Sequence, residues 1–243
     1  MIFHDVEQNT LEWQRLRLGI ATASDFHRIM TPKKRQLSAQ ANDYMHLLLA
    51  EWWSGEPMEY EYQSPWMERG QALEDQAVAA YEGLTGLLTT RGGFWTTDDG
   101  LIGCSPDRMV GVDGDLEIKC PLLPRQIANA LSEEAKDDYL CQLQGRMMIH
   151  GRQWIDVFSF HPLLVMDPVR VFRDEAFIAD LRRTLSAFVD VLLKTRVLLS
   201  ERHPAAFAAV RKRLEPRPQT DERDFVNEED VEAILEAQRK EKP

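Results

Sequence analysis

The most informative segment of this sequence is GCSPDRMVGVDGDLEIKCP, residues 103–121. Its short β-prone runs are separated by Asp113-Gly114, which predicts a hairpin whose second strand carries Glu117 and Lys119. Because alternate residues of a strand point to the same face, the acid and the amine share one face, and the turn brings Asp107 beside them. The stretch therefore predicts two carboxylates and one amine at the end of a hairpin.

These groups suit the hydrolysis of a phosphodiester. Carboxylate oxygens bind Mg²⁺, with Mn²⁺ as an alternative, and two ions about 4 Å apart stabilise both the attacking and the leaving oxygen. We expect Asp107 to bridge two ions, and Glu117 and the backbone carbonyl of Ile118 to supply further oxygens. Lys119 would hold or deprotonate the attacking water. Alternatively, Glu117 and Lys119 line the solvated face of an edge strand, although charges inside the apolar run LEIKC are costly unless they are used.

Composition sets the outer limits. The chain has 243 residues, and 44% of them are hydrophobic. Its net charge of −11 argues against a protein whose whole surface binds nucleic acid, but it permits a locally basic groove. No apolar run is long enough to span a bilayer, and MIFHDVEQN is unlike a signal peptide, so we expect a cytoplasmic protein without a membrane partner. The three cysteines form no CxxC pair, so neither a disulfide framework nor a zinc or iron–sulfur site is expected.

Capping residues and hydrophobic periodicity predict the flanking elements. The predicted helices cover about 10–19, 24–30 (capped by Ser24), 38–55, 64–86, 132–150 and 175–200. The predicted strands are a meander through 94–97, 101–105, 108–112 and 115–120, followed by 152–162 and 168–174. This order predicts an α/β (α+β) domain over residues 1–205 with a central mixed sheet flanked by helices. Residues 206–243 are expected to be a polar, proline-broken tail ending in a short helix capped by Asn227.

The motif SPD…DLEIKCP resembles the core of the lambda-exonuclease family, also called YqaJ-type viral recombinases, within the PD-(D/E)xK nuclease superfamily. Three further blocks resemble motifs of that family and occur in its order: WQRLRLGIATASDF (13–26), ERGQALEDQAVAAYE (68–82) and YLCQLQGRMMIHG (139–151). The resemblance covers about residues 13–160 and implies a core like that of restriction endonucleases.

The resemblance also implies roles for residues outside the hairpin. Glu74 would be a further acid near the metals, although an ordinary surface acid is the alternative. Gln142 would help to position the attacking water or the scissile phosphate, and Tyr139 and Gln144 are further candidates on the same helix. A glutamine on a helix is more commonly solvated.

A second group of residues is implied to hold DNA. Arg17 would receive the terminal 5′-phosphate through its guanidinium fork, with a surface ion pair as the alternative. The hydroxyls of Thr22, Ser24 and Ser105 would donate to phosphate oxygens, and Ser24 at a helix start would add backbone N–H groups.

Two more candidate contacts lie outside these blocks. The basic loop of Lys33, Lys34 and Arg35 is expected to contact the DNA backbone by charge, with a solvated loop as the alternative. The family resemblance implies that Met67 would wedge the duplex open, with core packing as the alternative.

The family would make this protein a Mg²⁺-dependent 5′→3′ exonuclease. It would degrade one strand of linear double-stranded DNA to 5′-mononucleotides and leave a 3′ strand for annealing-based recombination. A homotrimeric ring, a single-strand annealing protein as partner, and a phage or prophage origin in a bacterial cytoplasm are also implied. The rival interpretations are a PD-(D/E)xK endonuclease of repair or restriction type and a non-catalytic recombination scaffold. A Cas4-like nuclease is disfavoured because three scattered cysteines cannot supply four cluster ligands.

Overall fold

The computed structural model of the protein describes residues 1–58, 65–131 and 139–214, without the side chains of 65–68, 70 and 71. Residues Met1–Pro204 form one compact unit, and a second unit begins at Ala205. Among the helices of the described ranges, none combines the length and the apolar character that a membrane crossing requires.

The elements are labelled in chain order. Within the described residues the strands are β1 Ile2–His4, β2 Ala21–Thr22, β3 Thr89–Arg91, β4 Phe94–Thr96, β5 Ile102–Cys104, β6 Arg108–Val110, β7 Gly114–Lys119, β8 Trp154–His161, β9 Leu164–Val165 and β10 Val169–Phe172. The described α-helices are α1 Leu11–Arg17, α2 Phe26–Ile29, α3 Ala41–Ser54, α4 Pro65–Thr85, α5 Leu123–Leu131, α6 Leu140–His150, α7 Glu175–Arg202 and α8 Pro204–Leu214.

The strands form two mixed sheets. The smaller has the order β1-β4-β5-β2, and the larger has the order β10-β8-β7-β6-β3 with β9 added to β8. In the larger sheet β7 is antiparallel to β6 and parallel to β8. The predicted class, a mixed sheet flanked by helices, is confirmed. The single meander is wrong, because β4 and β5 pair with each other in one sheet and β6 and β7 pair in the other.

The chain crosses between the sheets at two adjacent places. One crossing runs through Gly92 and Gly93, between β3 and β4, and the other runs through 105–107, between β5 and β6. They approach so closely that a Cβ on Gly92 would lie 1.8 Å from the carbonyl oxygen of Pro106. Asp107 therefore stands where the two sheets separate.

Helices cover both faces of the larger sheet. On one face Tyr81 of α4 packs with Leu116 and Phe158, and on the other Leu143 and Met147 of α6 pack with Ile155. Since successive strand residues point to opposite faces, Leu116 faces α4 and its neighbours face α6. This alternation places the acids of β7 under α6.

The hairpin turn differs from the prediction. Gly114 is not in the turn, because it pairs with Val110 at the start of β7. The loop is formed by 111–113, and Gly111 takes the left-handed conformation there, with φ of 54°. A three-residue loop with glycine in this conformation is a common hairpin connection.

Three helical predictions also need correction. Helix α5 was not predicted, although Pro124 lies in its first turn, where a missing N–H costs nothing. Helix α8 occupies part of the expected proline-broken tail, with Pro204 again at its first position. The predicted helix over 132–150 is described only as α6, since 132–138 lie outside the described residues, as does the predicted helix after Asn227.

Candidate active site

Strand β7 and helix α6 face each other through six polar side chains. Every second residue of β7 points to this face, and every fourth residue of α6 returns to one side of the helix. We call this set the charge ladder, and its members are Asp115, Glu117 and Lys119 from β7 and Gln142, Arg146 and His150 from α6.

The inner half of the charge ladder is centred on Arg146, which is 1% exposed. Its guanidinium donates to Asp115 through Nε at 3.0 Å and through Nη2, and to Glu117 through Nη1. Burial lowers the pKa of Arg146, but the charges of Asp115 and Asp107 and the hydrogen bonds to Asp115 together outweigh burial, so the pKa lies above its ordinary value. His150 Nε2 lies 2.9 Å from Asp115 Oδ2, and burial holds the pKa of this imidazole below its ordinary value. A buried ion pair thus supports one end of Glu117.

The outer half contains the predicted amine. Lys119 Nζ lies 2.5 Å from Glu117 Oε1, and Gln142 Nε2 donates to the same oxygen at 3.0 Å. The ammonium also lies 4.7 Å from the ring centroid of Tyr139. The structure therefore brings Glu117, Lys119 and Gln142 together at the end of β7, with Tyr139 beside the amine.

Asp107 joins this end of β7 through the backbone. Its Oδ2 accepts the N–H of Ile118 at 2.7 Å. Burial raises the pKa of Asp107, and the charges of Arg146 and Lys119 act in the opposite direction. The predicted neighbourhood of Asp107 with the ExK residues is therefore present, with Asp107 in the connection before β6 and Glu117 in β7.

Glu74 reaches the site from α4. It lines a cavity of about 350 Å³ together with Asp107 and Arg108, and Arg108 Nη2 lies 3.3 Å from Glu74 Oε1. Burial and the charge of Asp107 raise the pKa of Glu74. A carboxylate whose pKa is raised by burial and by a neighbouring carboxylate favours the capture of a cation or a proton.

The donor chemistry fits a hard divalent cation, since Glu74, Asp107 and Glu117 offer carboxylate oxygens. In the described parts of the chain, however, no three His, Cys, Asp or Glu side chains are grouped so that they could hold a metal ion. Glu117 is instead paired with Lys119 and Arg146, and Glu74 with Arg108. Metal binding would have to exchange some of these ion pairs for metal contacts.

A second polar cluster surrounds Arg17 on α1. Its Nη2 donates to Thr22 Oγ1 at 3.3 Å, and Thr22 Oγ1 lies 3.2 Å from Ser24 Oγ. The guanidinium lies 4.3 Å from the ring centroid of Trp13. Arg17 and Thr22 line a cavity of about 430 Å³ that also contains Asp25. The three predicted phosphate contacts Arg17, Thr22 and Ser24 are thus adjacent.

Two predicted features of this phosphate cluster are wrong. Ser24 lies inside a 3-10 turn, Ala23–Asp25, and makes no capping bond to α2. Ser105 accepts from Trp13 Nε1 at 2.9 Å and donates to the carbonyl oxygen of Gly93 at 2.9 Å. The hydroxyl proton of Ser105 is therefore used within the fold and is not directed at a phosphate.

Gln144 is not at the substrate side of α6. It is buried, donates to the carbonyl oxygen of Phe172 at 2.9 Å and accepts the N–H of Asp174 at 2.9 Å. Two residues along a helix correspond to about 200° of rotation, so Gln144 points away from Gln142. It joins α6 to the segment between β10 and α7.

The basic loop has mixed outcomes. Arg35 lies 3.5 Å from Asp180 and 3.7 Å from Asp174, so its charge is matched by α7. Lys33 and Lys34 are exposed, and their DNA contact stays a prediction. Met67 lies in α4, but its side chain lies outside the described residues.

Sequence reasoning missed Asp115, Arg146 and His150. Asp115 precedes Glu117 by two residues, as Lys119 follows it by two, and the spacing alone places all three on one face. Arg146 and His150 follow Gln142 at intervals of four, which places them on one side of a helix. Matching these two periods would have found the charge ladder.

The chain is similar to known proteins in both sequence and structure. Residues 12–153 match the YqaJ-like viral recombinase domain. The structure is similar to an alkaline exonuclease, LHK-Exo, from Laribacter hongkongensis, with 32% identity, a TM-score of 0.73, and coverage of 80% of this chain and 98% of that one. The same enzyme in complex with dAMP gives a TM-score of 0.72, 32% identity and the same coverage.

A more distant structure shares the fold. It is a phage-related exonuclease from Haemophilus somnus 129PT, with 18% identity, a TM-score of 0.57, and coverage of 75% of this chain and 96% of that one. A search of curated proteins gives no match. The family match spans more than half of the chain and includes β7, α6 and Arg17, and the chain therefore belongs to the YqaJ-like viral recombinase family.

Proposed function

We propose that this protein is a divalent-cation-dependent exonuclease that degrades one strand of linear double-stranded DNA from its 5′ end. The observation that carries the proposal is the meeting of Asp107, Glu117, Lys119 and Gln142 around the end of β7 in a chain of this family. The similarity to an alkaline exonuclease, also determined in complex with the nucleotide dAMP, supports DNA as the substrate.

The reaction we propose is the hydrolysis of the bond between phosphorus and the 3′ oxygen of the terminal nucleotide. Water attacks the phosphorus and the 3′ oxygen leaves with a proton, which releases a 5′-mononucleotide. The next nucleotide then carries a new 5′-phosphate. Each cut therefore recreates the end that the Arg17 cluster would hold.

Glu74, Asp107, Glu117 and the carbonyl of Ile118 would hold the cations, up to two Mg²⁺ or Mn²⁺. Ions held there would supply the electrostatic stabilisation that phosphodiester hydrolysis needs. They would also favour the ionised forms of Glu74 and Asp107, whose pKa values burial raises.

The protein's own groups would orient the water. Lys119 is about one-third exposed and lies at the open end of the charge ladder, where it can hold the water or accept its proton. Gln142 holds Glu117 Oε1 from the other side. Arg17 would bind the 5′-phosphate through two N–H groups, since it already rests on Trp13 and Thr22.

Further proposals concern assembly, a protein partner and the biological role. Following the family resemblance, we propose a homotrimeric ring around DNA, a single-strand annealing protein as partner, and a role in phage or prophage recombination in the bacterial cytoplasm. Light scattering on the full chain should give three subunits, and a clean monomer would contradict the ring.

The decisive experiment compares a 5′-phosphorylated linear duplex with a covalently closed circle, each with and without Mg²⁺. We expect mononucleotides from the linear duplex with Mg²⁺ present and no cutting of the circle. Cutting of the circle would identify an endonuclease, and no cutting of either would identify a non-catalytic scaffold.

Lys119→Ala should abolish the activity on the linear duplex and leave the circular dichroism spectrum unchanged, because the side chain is partly exposed. Lys194→Ala is the matched control, since Lys194 is an exposed lysine of α7. Substantial activity in Lys119→Ala, or an equal loss in the control, would remove Lys119 from the site. Asp107→Ala should be equally inactive.

A further inference from the structure

Glu117 has its two carboxylate oxygens assigned to different partners. Oε2 accepts from Arg146 Nη1, on the buried side. Oε1 accepts from Gln142 and pairs with Lys119, on the open side. The carboxylate therefore cannot rotate without breaking the contacts of both oxygens. Oε1 is the oxygen that faces the open side of the site.

Arg146 is in turn fixed by groups that do not reach the open side. Asp115 accepts two of its N–H groups, and the carbonyl oxygen of Leu116 accepts from Nη2 at 3.1 Å. His150 Nε2 lies 2.9 Å from Asp115 Oδ2, the oxygen that also accepts from Arg146 Nε. The planar guanidinium thus spans from Asp115 to Glu117, a geometry that a single ammonium cannot reproduce.

We propose that Arg146 is a positioning residue for Glu117, and that Asp115 keeps Arg146 in place for this task. The proposal rests on the nuclease function proposed above. Arg146 would turn Glu117 so that it offers Oε1 alone, as a single-oxygen ligand or acceptor beside Lys119. It would also offset the negative charge of Glu117 and so limit how tightly a cation is held.

The rival explanation is that Arg146 merely stabilises the core. Buried ion pairs are weak contributors to stability, and replacing them by packed apolar residues is often neutral or stabilising. The adjacent cluster of Leu143, Met147 and Ile155 is fully buried and apolar. Packing at this place therefore does not require a charged residue, whereas holding Glu117 in one orientation does.

The first variant is Arg146→Lys, which keeps the charge and removes the fork. We expect kcat on the 5′-phosphorylated linear duplex to fall about 10- to 100-fold, as is usual when a group that orients a metal ligand is changed. The KM for DNA should change less than about twofold, since Arg146 has no exposed surface with which to touch DNA. The affinity of the DNA-free protein for Mn²⁺, measured by calorimetry, should fall about 10-fold or more.

A second variant reaches Glu117 indirectly. Asp115→Asn removes the charge that holds Arg146 without altering any atom of Glu117. It should change kcat and Mn²⁺ affinity in the same direction as Arg146→Lys. This variant also keeps the proposal testable if Arg146→Lys fails to fold.

The matched control is Arg170→Lys. Arg170 of β10 donates to Asp156 through Nε and Nη2, both at 2.8 Å. Asp156 lies on β8, the strand next to β7 in the same sheet. Tyr81 of α4 donates to this aspartate, so the pair lies on the opposite face from the charge ladder. The control should lower the melting temperature and leave the kcat of the folded enzyme and the Mn²⁺ affinity unchanged.

The outcomes separate the two proposals. An inactive wild-type protein would refute the nuclease function itself. An active wild type, with folded Arg146→Lys or Asp115→Asn matching it in kcat and Mn²⁺ affinity, would overturn the role of Arg146 alone. Losses in both variants no larger than in Arg170→Lys, at equal folded fraction, would also overturn it.

Discussion

Replacing Arg17 by alanine tests how the enzyme would choose its DNA end. Arg17 is half-buried on α1, lies over the ring of Trp13 and donates to Thr22. This arrangement holds the guanidinium at the wall of a cavity of about 430 Å³ before any ligand arrives. Binding a terminal phosphate would therefore cost little further conformational entropy of the Arg17 side chain. Most of the interaction with the phosphate should then appear as binding free energy.

The size of the effect follows from the contacts and the local charge. Hydrogen bonds to charged groups contribute about 1.5–3 kcal/mol. Asp25 lines the same cavity and repels a phosphate, so the lower part of this range applies. A loss of about 1.5–2 kcal/mol corresponds to about a 10- to 30-fold weaker preference for phosphorylated ends.

The assay uses two linear duplexes that differ only in a 5′-phosphate or a 5′-hydroxyl at one end. The preference is the ratio of their kcat/KM values, measured for the wild type and for Arg17→Ala. Arg17→Lys should give an intermediate ratio, because an ammonium keeps the charge but lacks the fork.

Arg15→Ala supplies the matched control, since Arg15 is exposed on the same helix two residues earlier. It should retain the wild-type ratio. A ratio within twofold of the wild type in Arg17→Ala would remove Arg17 from phosphate recognition. A wild type without any preference would refute the phosphate pocket as a whole.

Two further predictions concern stability. Burial lowers the pKa of His150 in the folded state below its ordinary 6.5, so acidification protonates this histidine in the unfolded chain first, and stability falls as the pH drops below about 6.5. His150→Gln should reduce the loss of melting temperature between pH 7 and pH 5, and an identical loss would contradict this. Gly114→Ala should lower the melting temperature by several degrees, because a Cβ there would lie 2.1 Å from the Trp154 ring and overpacking costs about 1–3 kcal/mol. Gly83→Ala in α4 is its control and should raise the melting temperature, since a Cβ there meets no atom within 4 Å.

Local spacing was sufficient to predict the geometry of β7. The run DLEIK placed Glu117 and Lys119 on one face, and their 2.5 Å contact confirms it. The predicted start of a helix at residue 10 and the predicted end of another at residue 55 are likewise present, as a side-chain cap of α1 by Thr10 and a left-handed end of α3 at Gly55. These features depend on residues within a few positions of each other, so sequence alone determines them.

The division into two sheets could not be predicted in the same way. Hydrophobic alternation shows which face of a strand is buried but not which strand lies beside it. β5 and β6 are separated only by 105–107 and still belong to different sheets. The available signal was the pair Gly92-Gly93, because the backbones cross there without room for a Cβ on Gly92.

The structural contacts of Gln144 and Arg35 were missed for a related reason. Each is a polar residue that the fold uses internally, Gln144 against the backbone of Phe172 and Arg35 against Asp180 on α7. Motif position and charge cannot distinguish such residues from those that face a substrate. The distinction depends on long-range packing, which brings together segments more than 25 residues apart.

The charge ladder and the crossing of the sheets together explain how an acidic site can form in an apolar interior. Asp115 and Glu117 are buried against Arg146, so their charges are matched within the fold. Glu74 and Asp107 share a cavity at the crossing, and their raised pKa values show that burial disfavours their ionised forms. A divalent cation would therefore gain most from binding in the cavity that Glu74 and Asp107 share, where it would favour the ionised forms of both carboxylates.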